Sequence, residues 1–197
     1  GTELRNGQIY DSNRLAVSAL LESLPAMVTD LGILPDDPQS ISRALSSAAA
    51  DHELLLTSGG VSVGDADYVR NVVASLGAIE LWKMNLKPGK PLAFGHVQNT
   101  LFLGLPGNPV STIVTFLLIA RPLILKLSGA DVAPPRRQTA KLSSAIRHNP
   151  GREEYQRGIL EYRDGEEWVE ATGDQSSNRL STFSGADCLI RVPKQVG

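Results

Sequence analysis

The stretch Leu54-Leu55-Leu56-Thr57-Ser58-Gly59-Gly60-Val61-Ser62-Val63-Gly64-Asp65-Ala66-Asp67-Tyr68 carries the residue types of an anion site. A short apolar run leads into a glycine pair, a small polar loop and two acids that open a helical segment. Glycines let the backbone approach a ligand closely and adopt φ > 0. The free N–H groups at the start of the following helix face negative charge. Ser58, Gly59, Gly60 and Ser62 are therefore candidate ligand-binding residues. Asp65 and Asp67 stand where the anion would be expected, which fits either a metal ion between acid and anion or a carboxylate poised for chemistry. Acids in a first helical turn also favour the helix macrodipole without any ligand, and this stretch alone leaves both readings open.

Two further stretches carry chemistry. In Leu81-Trp82-Lys83-Met84-Asn85-Leu86-Lys87, strand alternation places Trp82, Met84 and Leu86 on one face and Lys83, Asn85 and Lys87 on the other. Lys83 and Lys87 then lie roughly 13 Å apart, a span that suits an extended ligand with more than one phosphate. Lys90 follows after the Pro88-Gly89 turn. Lysines that protect an edge strand from aggregation would give the same pattern. The second stretch, Leu105-Pro106-Gly107-Asn108-Pro109-Val110-Ser111, is another glycine loop entering a helix: Gly107 turns, Asn108 can cap, and Pro109 suits the first helical position. Gly107, Asn108, Pro109 and Ser111 join the candidate binding set. Neither loop is a standard nucleotide fingerprint. Gly59, Gly60 and Gly64 do not space as G-x-G-x-x-G, and the Lys87–Pro91 turn lacks the spacing of a Walker A loop.

The elements that must position these residues alternate. Ser12 or Asn13 can cap a helix through Leu15, Ala16, Ala19, Leu20 and Leu24, which Pro25 stops. Met27 to Leu34 reads as a strand. Asp36-Asp37-Pro38 turns into a helix through Ile41, Ala44, Leu45 and Ala48, with Asp37 as its cap. The strand at Leu54–Leu56 and a helix from Asp67 to Leu76 follow. Then come two strands around Gln98-Asn99 and an apolar helix from Val110 to Leu127. Strand–helix alternation with short links predicts a parallel sheet covered on both faces, with ligands beyond the C-terminal strand ends. After the Val132–Arg137 linker the pattern changes to short strands over 139–146, 154–161, 167–171 and 187–192, a small barrel-like β domain. The chain thus divides into an α/β domain over 1–130 and a β domain over 137–197. Asp174 to Asn178 reads as a solvent-facing loop, and Arg152 and Arg157 as surface arginines.

Composition narrows the function classes. The 197 residues are 42% hydrophobic with a formal net charge of -2, so no basic surface invites nucleic acid or an anionic membrane. The one cysteine, Cys188, reads as a small buried hydrophobe and fits a reducing, cytoplasmic compartment. The longest apolar run, Ile113 to Ala120, is too short to cross a bilayer. His52, His96 and His148 have no metal-ligand spacing.

Taken in order, Gly1 to Leu4, Gly7 to Asn13, Asp36-Asp37-Pro38, Ser58 to Tyr68, Lys87 to Pro91, Leu105 to Ser111 and Gly151 to Gly158 resemble the molybdopterin molybdenumtransferase family, which includes bacterial MoeA and the E domain of gephyrin. The resemblance covers essentially the whole chain. It implies a three-layer α/β/α domain related to the molybdenum-cofactor adenylyltransferases, followed by a β-barrel domain, in a homodimer whose cleft uses both subunits. It implies adenylylated molybdopterin and molybdate as substrates, release of AMP, and magnesium in support. By matching motif positions it makes Glu3, Asp36 and Asp67 the acidic set, with Asp67 and Asp36 on the metal, and Lys83, Lys87 and Lys90 the basic set. Cleaving a pyrophosphate link needs such cations to neutralise developing charge. It also implies a fragment, lacking two earlier domains, a first strand and a C-terminal end. A molybdopterin adenylyltransferase and a receptor-clustering scaffold are the alternatives on the same fold.

Overall fold

The computed structural model describes residues 10–61 and 68–195. Glu3, Ser62, Asp65 and Asp67 lie outside the described residues.

Helix α1 (Ser12–Leu21) begins at Asp11, whose carboxylate accepts the Arg14 amide at 3.0 Å, so the cap is Asp11 rather than Ser12 or Asn13. The expected strand over 27–34 is absent. Asp30 accepts the Gly32 amide at 2.8 Å, and Arg14 Nε donates to its two oxygens at 2.8 and 3.0 Å; Gly32 has φ +75°. A side chain that bonds the backbone two residues on makes a turn that competes with strand pairing. Met27 and Ile33 are accordingly exposed. Helix α2 (Pro38–Ala49) starts as expected, with Asp37 accepting the Ser40 amide and Pro38 in the first turn.

Strand β1 (Leu54–Ser58), helix α3 (Tyr68–Leu76), β2 (Gly77–Trp82), β3 (Leu86–Lys87), β4 (Ala93–Val97) and β5 (Thr100–Leu105) follow. The first sheet has the order β1-β5-β4-β2. It is mixed, not parallel: β1 and β5 run parallel, whereas β4 is antiparallel to both β5 and β2. The tight turn at Gln98-Asn99, with Gln98 at φ +54°, forces β4 and β5 into a hairpin. The sheet nonetheless sits between two helical layers. Ile41 and Leu45 of α2 and Val72 and Val73 of α3 pack with Leu55, Ala93, Val97 and Phe102 on one face. Leu103 and Leu105 meet Phe116, Ala120 and Ile124 on the other, with Leu24 after α1. Period-2 alternation along β5 sends neighbouring residues to opposite cores, and the expected three-layer α/β/α arrangement holds.

The long helical stretch from Pro109 to Leu127 is α4 (Pro109–Thr115), a π segment (Phe116–Ala120) and α5 (Arg121–Leu127). Pro122 lacks an amide hydrogen, and the wider turns just before it accommodate the missing bond. At 19 residues and a mean hydropathy of 1.8, the stretch exceeds the apolar run seen in sequence and is long and apolar enough to cross a membrane. Its buried residues, among them Val110, Val114 and Phe116, cover the sheet instead.

The second sheet holds β6 (Lys141–Leu142), β7 (Glu153–Arg163), β8 (Glu166–Ala171) and β9 (Cys188–Val192), with a short 3₁₀ turn at Leu180–Phe183. No long helix interrupts it, and it curls as a half-barrel. Its fifth strand is β3, which leaves the first sheet's chain segment to pair in parallel with β7. Phe102 is fully buried at the centre of the α2–α3 face. Phe102→Ala should lower stability by about 3–5 kcal/mol in urea unfolding, and a loss below about 1 kcal/mol would contradict this placement of the core.

Candidate functional site

The parallel pair β1–β5 ends with Ser58 opposite Leu105, so the two glycine loops emerge side by side. The Gly59 amide donates to Leu105 O at 3.1 Å, and a side chain on Gly107 would lie 3.7 Å from Gly59 Cα. Gly59 and Gly60 have φ +86° and +68°, a conformation that favours glycine. Thr112, buried one turn into α4, donates to Pro106 O at 2.6 Å and fixes the second loop. Asn13 Nδ2 donates to Gly107 O at 2.7 Å, which ties the start of α1 to the same loop. The sequence marks Asn13 as a possible cap and as the end of the Gly7–Asn13 motif, with no sign of this tie to the second loop.

The lysine strand is not continuous. Lys83 has φ +81°, a left-handed conformation that ends β2. The parity argument for Lys83 and Lys87 therefore fails: β3 belongs to the other sheet. From Lys83 the chain closes on itself, with the Lys83 amide on Leu92 O at 3.0 Å and the Met84 amide on Lys90 O at 2.9 Å. Gly89 has φ +119°, and a Cβ there would lie 2.5 Å from Thr115 Cγ2, so only glycine lets this turn pack onto α4. The peptide before Pro88 is cis.

Between the turn, the start of α4 and the β half lies a cleft of about 800 Å³. Lys87, Lys90, Arg147 and Arg152 line it against one carboxylate, Glu154, together with Asn108, Ser111, Ser176 and Ser177. Lys83, Asp36, Pro109 and the Gly59–Gly60 loop are not among its lining residues. Asp36 is exposed before α2. Among the described residues, no three acidic, histidine or cysteine side chains cluster as a metal site.

The expected side-chain cap at Asn108 is not made. Its Nδ2 donates to Ser177 Oγ at 3.1 Å instead, and the Val110 amide donates to Ser177 O at 3.0 Å. The 174–178 loop is thus anchored to the start of α4 through Ser177, while Asp174, Ser176 and Asn178 stay exposed, as a solvent-facing loop would. The cause is Arg157, which is fully buried, not on the surface. Its guanidinium donates to the carbonyls of Asp174 (2.8 Å), Gln175 (3.3 Å) and Ser176 (3.3 Å) and lies 5.8 Å from the Phe183 ring. Burial pushes its pKa down, with the Asp174 charge opposing. Gln175 accepts the Arg157 amide at 2.9 Å and donates to Arg157 O at 3.0 Å, as a neighbouring strand would.

Glu154 is buried at the head of β7. Lys87 Nζ lies 3.0 Å from its Oε1, His148 Nδ1 lies 2.8 Å from its Oε2, and Gln156 Nε2 donates to Oε1 at 3.1 Å. Burial pushes its carboxyl up, but the hydrogen bonds from His148 and Lys87 outweigh this and leave it below the usual carboxylate range. Cys188 is half-buried, and burial raises its thiol.

Arg157→Met keeps the length and removes the donors. It should lower stability by about 2–4 kcal/mol and speed hydrogen exchange at the Val110 amide, which reports the seating of the loop. Unchanged exchange at Val110 would show that Arg157 does not hold it.

Comparison with known proteins identifies the family and the fold. Residues 1–126 match the family model described as "Probable molybdopterin binding domain", and residues 139–197 match "MoeA C-terminal region (domain IV)". The chain is 41% identical over 199 residues to the molybdopterin molybdenumtransferase of Haemophilus influenzae, covering 100% of this chain and 49% of the relative. With the molybdopterin molybdenumtransferase of Nostoc it shares 37% identity, over 96% of this chain and 45% of the relative. A crystal structure of the molybdopterin biosynthesis moea protein from Pyrococcus horikosii superposes with a TM-score of 0.79 at 26% identity, covering 98% of this chain and 46% of that one. The chain spans about half the length of the curated relatives it matches. It belongs to the molybdopterin-binding domain family of the MoeA type.

Proposed function

We propose that this chain supplies the anion-binding core of a molybdopterin molybdenumtransferase, which inserts molybdenum from molybdate into adenylylated molybdopterin and releases AMP. The observation that carries this reading is the cleft lined by Lys87, Lys90, Arg147 and Arg152 at the seam of the two sheets. Both substrates are anions, and cleaving the pyrophosphate link builds negative charge on the departing phosphate. Fixed cations in a partly enclosed cleft stabilise that charge more than water does. Ser111 and Ser177 offer hydroxyls at the cleft wall, which can orient a tetrahedral oxyanion. In this proposal Ser58, Gly59, Gly60, Ser62 and the Gly107–Pro109 loop take the pterin end. Lys83, outside the cleft, serves the outer part of the extended substrate.

The acidic set belongs to the same proposal. Asp36 and Asp67, with Glu3, would hold magnesium or orient water. Of these, Asp36 is the one described, and it has no cluster of ligands among the described residues, so no step is assigned to the metal. A cytoplasmic homodimer is part of the reading by family resemblance.

The lysines separate the two ends of the site. Losing one charge-assisted phosphate contact costs about 1.5–3 kcal/mol, or about 10- to 150-fold in affinity. Lys90→Ala in the full-length protein should weaken both molybdate and adenylylated-pterin binding by that factor, as read by titration calorimetry. Lys83→Ala should weaken the pterin and leave molybdate unchanged. The losses should shrink at high salt. Unaltered molybdate affinity in Lys90→Ala would remove the cleft from the proposal.

A further inference from the structure

We propose that Glu154 is a positioning residue that fixes the Lys87 ammonium in the cleft. The inference rests on the proposed function. Lys87 and Glu154 are register partners in the β3–β7 pair, so the backbone itself sets them side by side. The two ends of the ion pair differ in exposure: the Lys87 side chain is 41% exposed and that of Glu154 is 4%. The carboxylate is therefore the fixed partner and the lysine the one that reaches the cleft. His148, 4% exposed, braces the second oxygen from behind, and Gln156 shares the first. A buried carboxylate held by three side chains offers one defined anchor point. A free lysine has four rotatable side-chain bonds and spreads its charge over many positions. Glu154 removes that freedom before substrate arrives.

The electrostatic consequence has the opposite sign from simple anion attraction. A carboxylate in a cleft for anions weakens ground-state binding. Its gain lies in holding the ammonium where charge develops during the reaction. Glu154 should thus act on turnover more than on affinity.

Glu154→Gln, Glu154→Asp and the wild type, each as the full-length protein, are compared in the molybdenum-insertion assay with melting temperature measured in parallel. Glu154→Gln is expected to lower kcat by about 10- to 100-fold with KM for the adenylylated pterin unchanged or lower, and Glu154→Asp to recover most of the loss. In the wild type, the Lys87 ammonium should give a resolved ¹H–¹⁵N cross-peak, because pairing slows its exchange; this reading holds even if Glu154→Gln does not fold. Wild-type kcat in Glu154→Gln overturns the inference. So does a loss that both variants share and that follows the folded fraction, or a Lys87 ammonium that exchanges as fast as an exposed one. No insertion activity in the wild type overturns the functional reading, and the inference with it.

Discussion

The two sheets meet through the pairing of β3 with β7, and the geometry of the cleft follows from that seam. Two residues, Leu86 and Lys87, leave the first sheet's chain segment and add a strand to the second. Asn85 reinforces the joint: its carbonyl accepts the Glu153 amide at 3.2 Å and its Nδ2 donates to Gly151 O at 2.9 Å. The register of this pair sets Lys87 and Glu154 side by side on neighbouring strands. The turn that bears Lys90 is pinned on its other side by Gly89 against α4. Three surfaces from different parts of the chain thereby converge on one volume, with cations on two of them.

Burying charge is costly unless it is paired and hydrogen-bonded. The chain accepts that cost twice here. Arg157 carries it for the 174–178 loop, its two terminal nitrogens donating to three main-chain carbonyls while Nε stays buried without a partner among the described residues. Glu154 carries it for the lysine side. Both residues lie on β7, which is not an edge strand: it pairs with β3 and β9 near its start and with β8 farther along. A rigid strand bearing both anchors holds the two walls of the cleft in fixed relation. Neither anchor is offered to the substrate as a bare charge. Their effect passes through the Lys87 ammonium and through Ser176 and Ser177.

Much of this was legible in the sequence because it rests on local rules. Asp37 before Pro38, the apolar period of α2, and the change to short strands after the proline-rich linker each report a neighbour within a few residues. The covered sheet followed from strand–helix alternation along the chain, and the three-layer arrangement from the family resemblance. What was missed depends on partners distant in sequence. The segment at 27–34 has strand composition, yet Asp30 and Arg14 fold it into a turn. Strand parity for the lysines failed because Lys83 takes a left-handed conformation that no pattern of residue types marks. Arg157 looked like a surface arginine because the carbonyls that hold it lie 17 to 19 residues away. Asn108 satisfied every rule for a helix cap, and Ser177 of a distant loop took its side chain instead.

The central claim is that the oxyanion substrate binds at the seam between the two sheets. Anomalous diffraction from crystals soaked in tungstate, the heavier analogue of molybdate, tests it most directly. The account predicts the strongest peak inside the cleft, within hydrogen-bonding reach of Lys90 and the 176–177 serines. A peak at the Gly59–Gly60 loop, with the cleft empty, would contradict it.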